Sequence, residues 1–206
     1  MIFIRYEKWR SYLRYYPVTC ALILANVIMF IVLTFNGGST NLYTLVDYGA
    51  TVNVGPEKEE LWRYATAMFL HNGFAHLFFN CFALLVFAPP LERLMGWWRY
   101  ALLYLAGGFL ANLLGVAVSS RGDLGIVSVG ASGAIYAVYG AFFYIAVLQR
   151  EMMDESSRKT LYGVLVMGII MSFATPHVDY VVHIGGLIAG FFLYGLMIRV
   201  FKRNRR

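Results

Sequence analysis

Apolar residues lie along this chain in long runs with few polar interruptions, not at every second position or at every third and fourth. The runs extend from Val18 to Phe35, Phe74 to Ala88, Trp97 to Val118, Ala131 to Leu148, Leu161 to Ala174 and Val181 to Phe201. Charged residues collect between the runs, so the pattern reads as membrane-crossing helices and not as amphipathic faces around a soluble core. The second and fifth runs are shorter than the about 20 residues a crossing takes. The expected fold is an all-α membrane protein, a bundle of six transmembrane helices.

Charge supports counting both short runs, because Lys and Arg accumulate in cytoplasmic segments. With a cytoplasmic N-terminus and six crossings, that side holds 14 of the 17 basic residues, and the other side holds only Lys58, Arg63 and Arg121. Omitting the fifth crossing would carry the C-terminal KRNRR cluster outward. The expected organisation is a cytoplasmic segment 1–17, a membrane domain 18–201 whose residues 36–73 include the first outer loop, and a basic cytoplasmic tail 202–206.

Composition agrees, with 60% hydrophobic and 14% charged residues. The net charge of +6 sits beside apolar runs and forms no groove-sized patch, so anionic lipid head groups are the expected counterpart and not nucleic acid. Cys20 and Cys81 lie inside apolar runs without C-x-x-C spacing, which points to neither a disulfide nor a zinc site. The first run exceeds a signal-peptide core and lacks an A-x-A cleavage pattern, so it reads as a retained crossing.

The predicted topology places chemistry at one level. Runs two, four and six all start on the outer side, and near those starts lie His76 and Asn80, then Ser132, then His183. Each has a structural explanation: Ser132 as a helix cap, a histidine as an interfacial residue, Asn80 as interhelical glue contributing roughly 1 kcal/mol or less. Together they supply a hydroxyl nucleophile, an imidazole base and donors for an oxyanion, the parts that acyl transfer needs. His76 and Asn80 are one helical turn apart and share a face. The Ser132 N–H, at a helix start, is a further donor. The stretch Gly130, Ala131, Ser132, Gly133 does not match the G-x-S-x-G elbow of α/β hydrolases.

Small residues predict how the hydroxyl and imidazole meet. Gly186 and Gly190 lie on the His183 face, and Gly133, Ala137 and Ala141 repeat at the same spacing after Ser132, which lets two helix backbones approach closely. Tyr136, one turn beyond Ser132, could stack on the His183 ring or be an ordinary packed aromatic. Asp179, four residues before His183, is a loop charge or an acid orienting the imidazole.

In these motifs the chain resembles the rhomboid intramembrane serine proteases, from Val18 to the C-terminal basic cluster. The matching pieces are W-R-Y at Trp62 to Tyr64, H-x-x-x-N at His76 to Asn80, G-x-S-G at Gly130 to Gly133 and H-x-x-G-x-x-x-G at His183 to Gly190. Inactive relatives usually lack the serine or the histidine, and both are present here. The resemblance implies a Ser132 and His183 dyad, oxyanion stabilisation by His76, Asn80 and the Ser132 N–H, Tyr136 supporting the base, and a Trp62 and Arg63 loop bracing the bundle. It makes His71 structural. It implies the compact six-span form, membrane-helix substrates cleaved near their outer end, lateral access past the fifth span, and neither metal nor cofactor. The expected location is a bacterial inner membrane with the site toward the outer face.

Other classes stay in view. A small transporter would more often carry broken helices and an internal repeat. A non-catalytic binder of membrane helices would not need Ser132. A metalloenzyme using His71, His76, His177 and His183 lacks an H-E-x-x-H motif.

Overall fold

A computed structural model describes residues 2–4, 6–119, 125–175 and 178–203, with side chains described through Phe201. His177, Arg5, Arg121 and residues 204–206 of the basic tail lie outside the described residues. Nine α-helices are present among those described: α1 (Trp9–Tyr15), α2 (Pro17–Phe35), α3 (Leu42–Asp47), α4 (Arg63–Thr66), α5 (Phe74–Met95), α6 (Trp97–Ser119), α7 (Ser132–Leu148), α8 (Glu155–Ala174) and α9 (Tyr180–Arg203). Two short strands, β1 (Thr51–Val52) and β2 (Val127–Ser128), pair antiparallel.

Helix boundaries follow local chemistry more closely than apolar content does. The second run stops at Ala88, yet α5 continues through Pro89 and Pro90 to Met95. Proline frees the carbonyl four residues earlier, and the Tyr12 hydroxyl donates to that carbonyl of Leu85 at 2.9 Å. Gly96, at φ 81°, ends the helix and turns the chain into α6. The fifth run starts at Leu161, but α8 starts at Glu155, where the Asp154 side chain accepts the Ser157 N–H. Its first turns carry Glu155, Arg158 and Lys159, so the helix is longer than its apolar part.

Helix α2 begins at Pro17 under a cap from another helix. The Glu92 carboxylate of α5, 2% exposed, accepts the Val18 and Thr19 N–H groups and the Thr19 hydroxyl at 2.7 to 2.9 Å. Those N–H groups have no intrahelical acceptor, so one buried carboxylate both completes α2 and ties it to α5. The N-terminal residues fold under the same end: Phe3 packs edge-on against Phe87 and Phe142, and the Ile2 N–H donates to Ser157 Oγ at 2.8 Å.

Four helices are long and apolar enough to cross a membrane among the described residues: α2, α5, α6 and α9. Helix α7 is apolar but has 17 residues, or ~26 Å at 1.5 Å per residue, against a hydrocarbon thickness of about 30 Å. It is enclosed instead of exposed, with every residue from Gly133 to Phe142 buried. Its first turns therefore meet protein, and Ser132 sits at the enclosed end, while Val147 and Leu148 at the other end are exposed. The chain is thus a helical membrane bundle packed around a short central helix.

The predicted seam between α7 and α9 is present. A Cβ at Gly186 would collide with the Gly133 carbonyl, and one at Gly190 with the Ala137 carbonyl. Gly140, against the Leu187 carbonyl, adds a third close approach that lies one position before the expected Ala141.

Candidate active site

Ser132 occupies the first position of α7, and Ala131 is the N-cap. The cap explanation for the serine therefore does not hold, since its side chain accepts no helix N–H. The preceding N–H groups are already used: Gly130 donates to the Ala67 carbonyl at 2.9 Å and Ala131 to His71 Nε2 at 3.5 Å. The Ser132 N–H has no carbonyl one turn earlier and is left to donate elsewhere.

The segment before Ser132 is held by the first loop. Thr51 pairs with Ser128 and Val52 with Val127, while the Asn53 side chain bonds to Ile126 and Ser119. The loop is itself braced from within: Arg63, 6% exposed, donates to Glu60 and to the Val46 and Ala50 carbonyls and lies over the Trp62 ring. Asn112 of α6 donates to the Tyr64 carbonyl at 2.9 Å and fixes the loop to the bundle.

Gly130 adopts φ 124°, which other residues rarely do. A Cβ there would lie 2.7 Å from His76 Nε2 and 3.7 Å from Ser132 Oγ. The His76 ring and the Ser132 hydroxyl thus flank the same spot, and only glycine leaves it open. Asn80, buried one turn along α5, donates one amide hydrogen to the His76 carbonyl at 2.8 Å and keeps the other.

His183 lies in the first turns of α9 and is brought to the start of α7 by the seam, where Gly133 packs against Val182. Its ring stacks on Tyr136 at 4.3 Å between centroids and 10° between planes, as the stacking alternative anticipated. Its Nδ1 lies 2.6 Å from Ser172 Oγ of α8. Ser172 already donates its single hydrogen to the Gly168 carbonyl at 2.6 Å. With that hydrogen on the carbonyl, the serine oxygen accepts, from the His183 Nδ1–H and from the Tyr136 hydroxyl 3.3 Å away. We assign the tautomer on this count: Nδ1 carries the hydrogen, and Nε2 presents a lone pair. No hydrogen bond joins Ser132 Oγ to His183 in this resting arrangement among the described residues; such bonds often tighten only when substrate binds.

Asp179 does not orient the imidazole. Its Oδ1 accepts the Val181 and Val182 N–H groups at 3.1 and 3.2 Å, so it caps α9 and is not a free loop charge. Burial holds its carboxyl above the usual range against the lowering effect of these bonds. His71 is fully buried, edge-on to His76, and receives the Ala131 N–H. Burial first, and the neighbouring His76 second, hold its imidazole down at about 3, so it stays neutral and structural.

Ser172 escaped the sequence reading. The signal was available, since it is the one hydroxyl near the outer end of the otherwise apolar fifth run, at the level where the other polar residues were placed. Gly168, one turn earlier, leaves room for the Tyr136 hydroxyl, which a Cβ would meet at 2.5 Å.

Comparison with known proteins bears on this arrangement. A family model described as the rhomboid domain matches residues 58–200. The chain is 32% identical over 207 residues to a putative rhomboid protease YdcA of Bacillus subtilis, covering all of both chains. It is 38% identical over 174 residues to the rhomboid protease GluP of Bacillus subtilis, covering 84% of this chain and 33% of that relative. With the rhomboid-type serine protease 2 of Emericella nidulans it shares 31% identity over 145 residues, 69% of this chain and 28% of that one. The chain thus spans the whole of the first relative and about a third or less of the other two.

Proposed function

The chain belongs to the rhomboid family and is an intramembrane protease of the serine type, and on that premise we propose that Ser132 and His183 form its catalytic dyad. The observation that carries the reading is the contact of His183 Nδ1 with Ser172 Oγ, which leaves Nε2 as the base in the first turns of α9, held against the start of α7. His183 Nε2 takes the Ser132 proton as the oxygen attacks the scissile carbonyl, and the carbonyl oxygen becomes an oxyanion. The Ser132 N–H, His76 and the remaining Asn80 hydrogen stabilise that charge. His183 returns the proton to the leaving amine and then activates water against the acyl-serine. Ser172 accepts from Nδ1 throughout and Tyr136 braces the ring face. The partner of Nδ1 is neutral, so the unit is a dyad.

The substrate in this proposal is a transmembrane helix of another membrane protein. Its carbonyls are occupied by helical hydrogen bonds, so segments with Gly, Pro or polar residues near the outer end, which unwind readily, are preferred. Access is lateral, past α8, whose Val166, Met167, Ile170, Met171 and Phe173 are all exposed. Six crossings, cytoplasmic termini and an outward-facing site in a bacterial inner membrane complete the reading, supported by the distribution of basic residues. The relatives from Bacillus agree with a bacterial setting.

The test is labelling by a fluorophosphonate probe together with cleavage of a Gly-containing transmembrane substrate. Ser132→Ala and His183→Ala should each lose label and lower cleavage by about 10³-fold or more. Full labelling of Ser132→Ala, or cleavage of a poly-Leu helix as fast as the Gly-containing one, would sink the proposal.

A further inference from the structure

At the end of the bundle opposite Ser132, the last turns of α5 and α9, the start of α6 and the residue after α7 border an open cavity of about 360 Å³. Its walls are apolar, with Met95, Met197 and Ile198 among them, and its polar groups are Arg99, Gln149 and Tyr194. No acidic residue lines it among the described residues. The Arg99 guanidinium lies beside the Trp98 and Phe201 rings, at 5.1 and 4.7 Å, and the two rings pack edge to face against each other. Its Nε is sealed from solvent and has no hydrogen-bond partner.

Other arginines of the chain are matched differently. Arg63 has Glu60 and two carbonyls, Arg158 has the Arg150 and Met153 carbonyls, and exposed Arg93 lies 4.0 Å from Glu7. Arg99 alone among these has a buried donor with no acceptor supplied by the described residues. The Arg99 side chain also lines the cavity, and an anion there supplies acceptor oxygens that the described residues do not. Gln149 adds a second donor: its amide oxygen accepts from the Tyr194 hydroxyl at 3.2 Å, which leaves the amide N–H₂ to give.

We propose that this cavity binds the phosphodiester of a membrane phospholipid, with the headgroup phosphate on Arg99 and Gln149 and the upper acyl chain along Met95, Met197 and Ile198. A planar arginine fork suits phosphate oxygens. Exposed Trp97 and Trp98 place the site at the depth where lipid headgroups lie. The absence of a lining carboxylate leaves nothing to receive a choline or ethanolamine cation, so the preferred lipid carries a net negative charge. This site is separate from the proposed dyad and stands or falls independently of it.

The experiment is native mass spectrometry of the full chain in mild detergent with added phosphatidylglycerol or phosphatidylcholine. The parent should retain one phosphatidylglycerol in preference to phosphatidylcholine, and Arg99→Gln should weaken that retention by about tenfold. Gln149→Ala and Arg99→Lys should weaken it by less, and they carry the test if Arg99→Gln does not fold. Arg93→Gln, which removes an exposed charge outside the cavity, should leave it unchanged. Equal retention by the parent and all three cavity variants would overturn the proposal. Displacement of the lipid by millimolar inorganic phosphate would overturn the lipid assignment and give the cavity to a free anion.

Discussion

Helices α7 and α9 on one side, and α8 on the other, meet the same histidine in opposite ways. Between α7 and α9, glycines lie directly against carbonyls of the facing helix, so neither backbone can move without a clash or a void. Helix α8 reaches His183 through a single serine hydroxyl, and Gly163 on α8 faces open space. Its N-terminal end is fixed, with Ser157 and Leu161 fully buried and Ile2 bonded to Ser157, while large side chains toward its C-terminal end are exposed. In the proposed mechanism, reaction geometry therefore resides in the rigid pair, and α8 is the element that yields. The proposed sideways entry of a helix needs both properties, and it draws them from different helices.

The sharpest way to break that contrast is to fill the seam. Gly190→Leu should destabilise the bundle by about 3 kcal/mol and abolish activity, because the new side chain meets the Ala137 backbone. Gly163→Ala should instead leave activity intact and raise stability by up to about 1 kcal/mol, since its Cβ meets nothing within 4 Å. Thermal unfolding in detergent compares the two, and equal losses would erase the distinction between seam and gate.

Removing the one hydroxyl that α8 contributes sharpens the comparison from the other side. Ser172→Ala should lower cleavage by about tenfold, the worth of one hydrogen bond to a group that becomes charged, with unfolding unchanged within about 1 kcal/mol. The activity of the variant should shift in its pH profile, because the imidazolium loses an acceptor. An unaltered profile would reduce Ser172 to packing.

His71 gives the rigid side an acid limit. The unfolded chain protonates this histidine near its ordinary 6.5, whereas the folded chain does so only near 3, so stability is lost as pH falls between those values. His71→Gln should flatten that acid limb by up to about 1.4 kcal/mol per pH unit. Parent and variant losing stability in parallel below pH 6 would contradict it. The smallest effect belongs to Asp179→Asn: asparagine caps helices as well as aspartate, so cleavage should stay within about twofold. A loss as complete as that of Ser132→Ala would restore Asp179 as a third catalytic member.

Much of the site was legible because membrane helices constrain position so strongly. Once His76, Asn80, Ser132 and His183 fall near the starts of three parallel runs, and small residues line two of them, close approach of Ser132's helix and His183's helix follows from spacing alone. Ser172 was not legible in the same way. Its run is antiparallel to the others, so it belongs near a helix end instead of a helix start, and no spacing rule pairs it with a ring eleven residues away. The role of Asp179 was equally hidden, since a carboxylate four residues before a histidine can cap the helix or reach the ring, and only the backbone direction at Val181 and Val182 separates the two.

By itself the sequence determined that apolar helices would carry this chain through a bilayer and which polar groups would share a level, because lipid leaves backbone and charge few alternatives. Helix limits, the Gly140 contact, the Glu92 cap on α2 and the hydrogen held on His183 Nδ1 were decided only in the folded bundle. Each of these depends on which atom of a distant helix stands within hydrogen-bond or van der Waals reach, and periodicity along one chain holds no information about that.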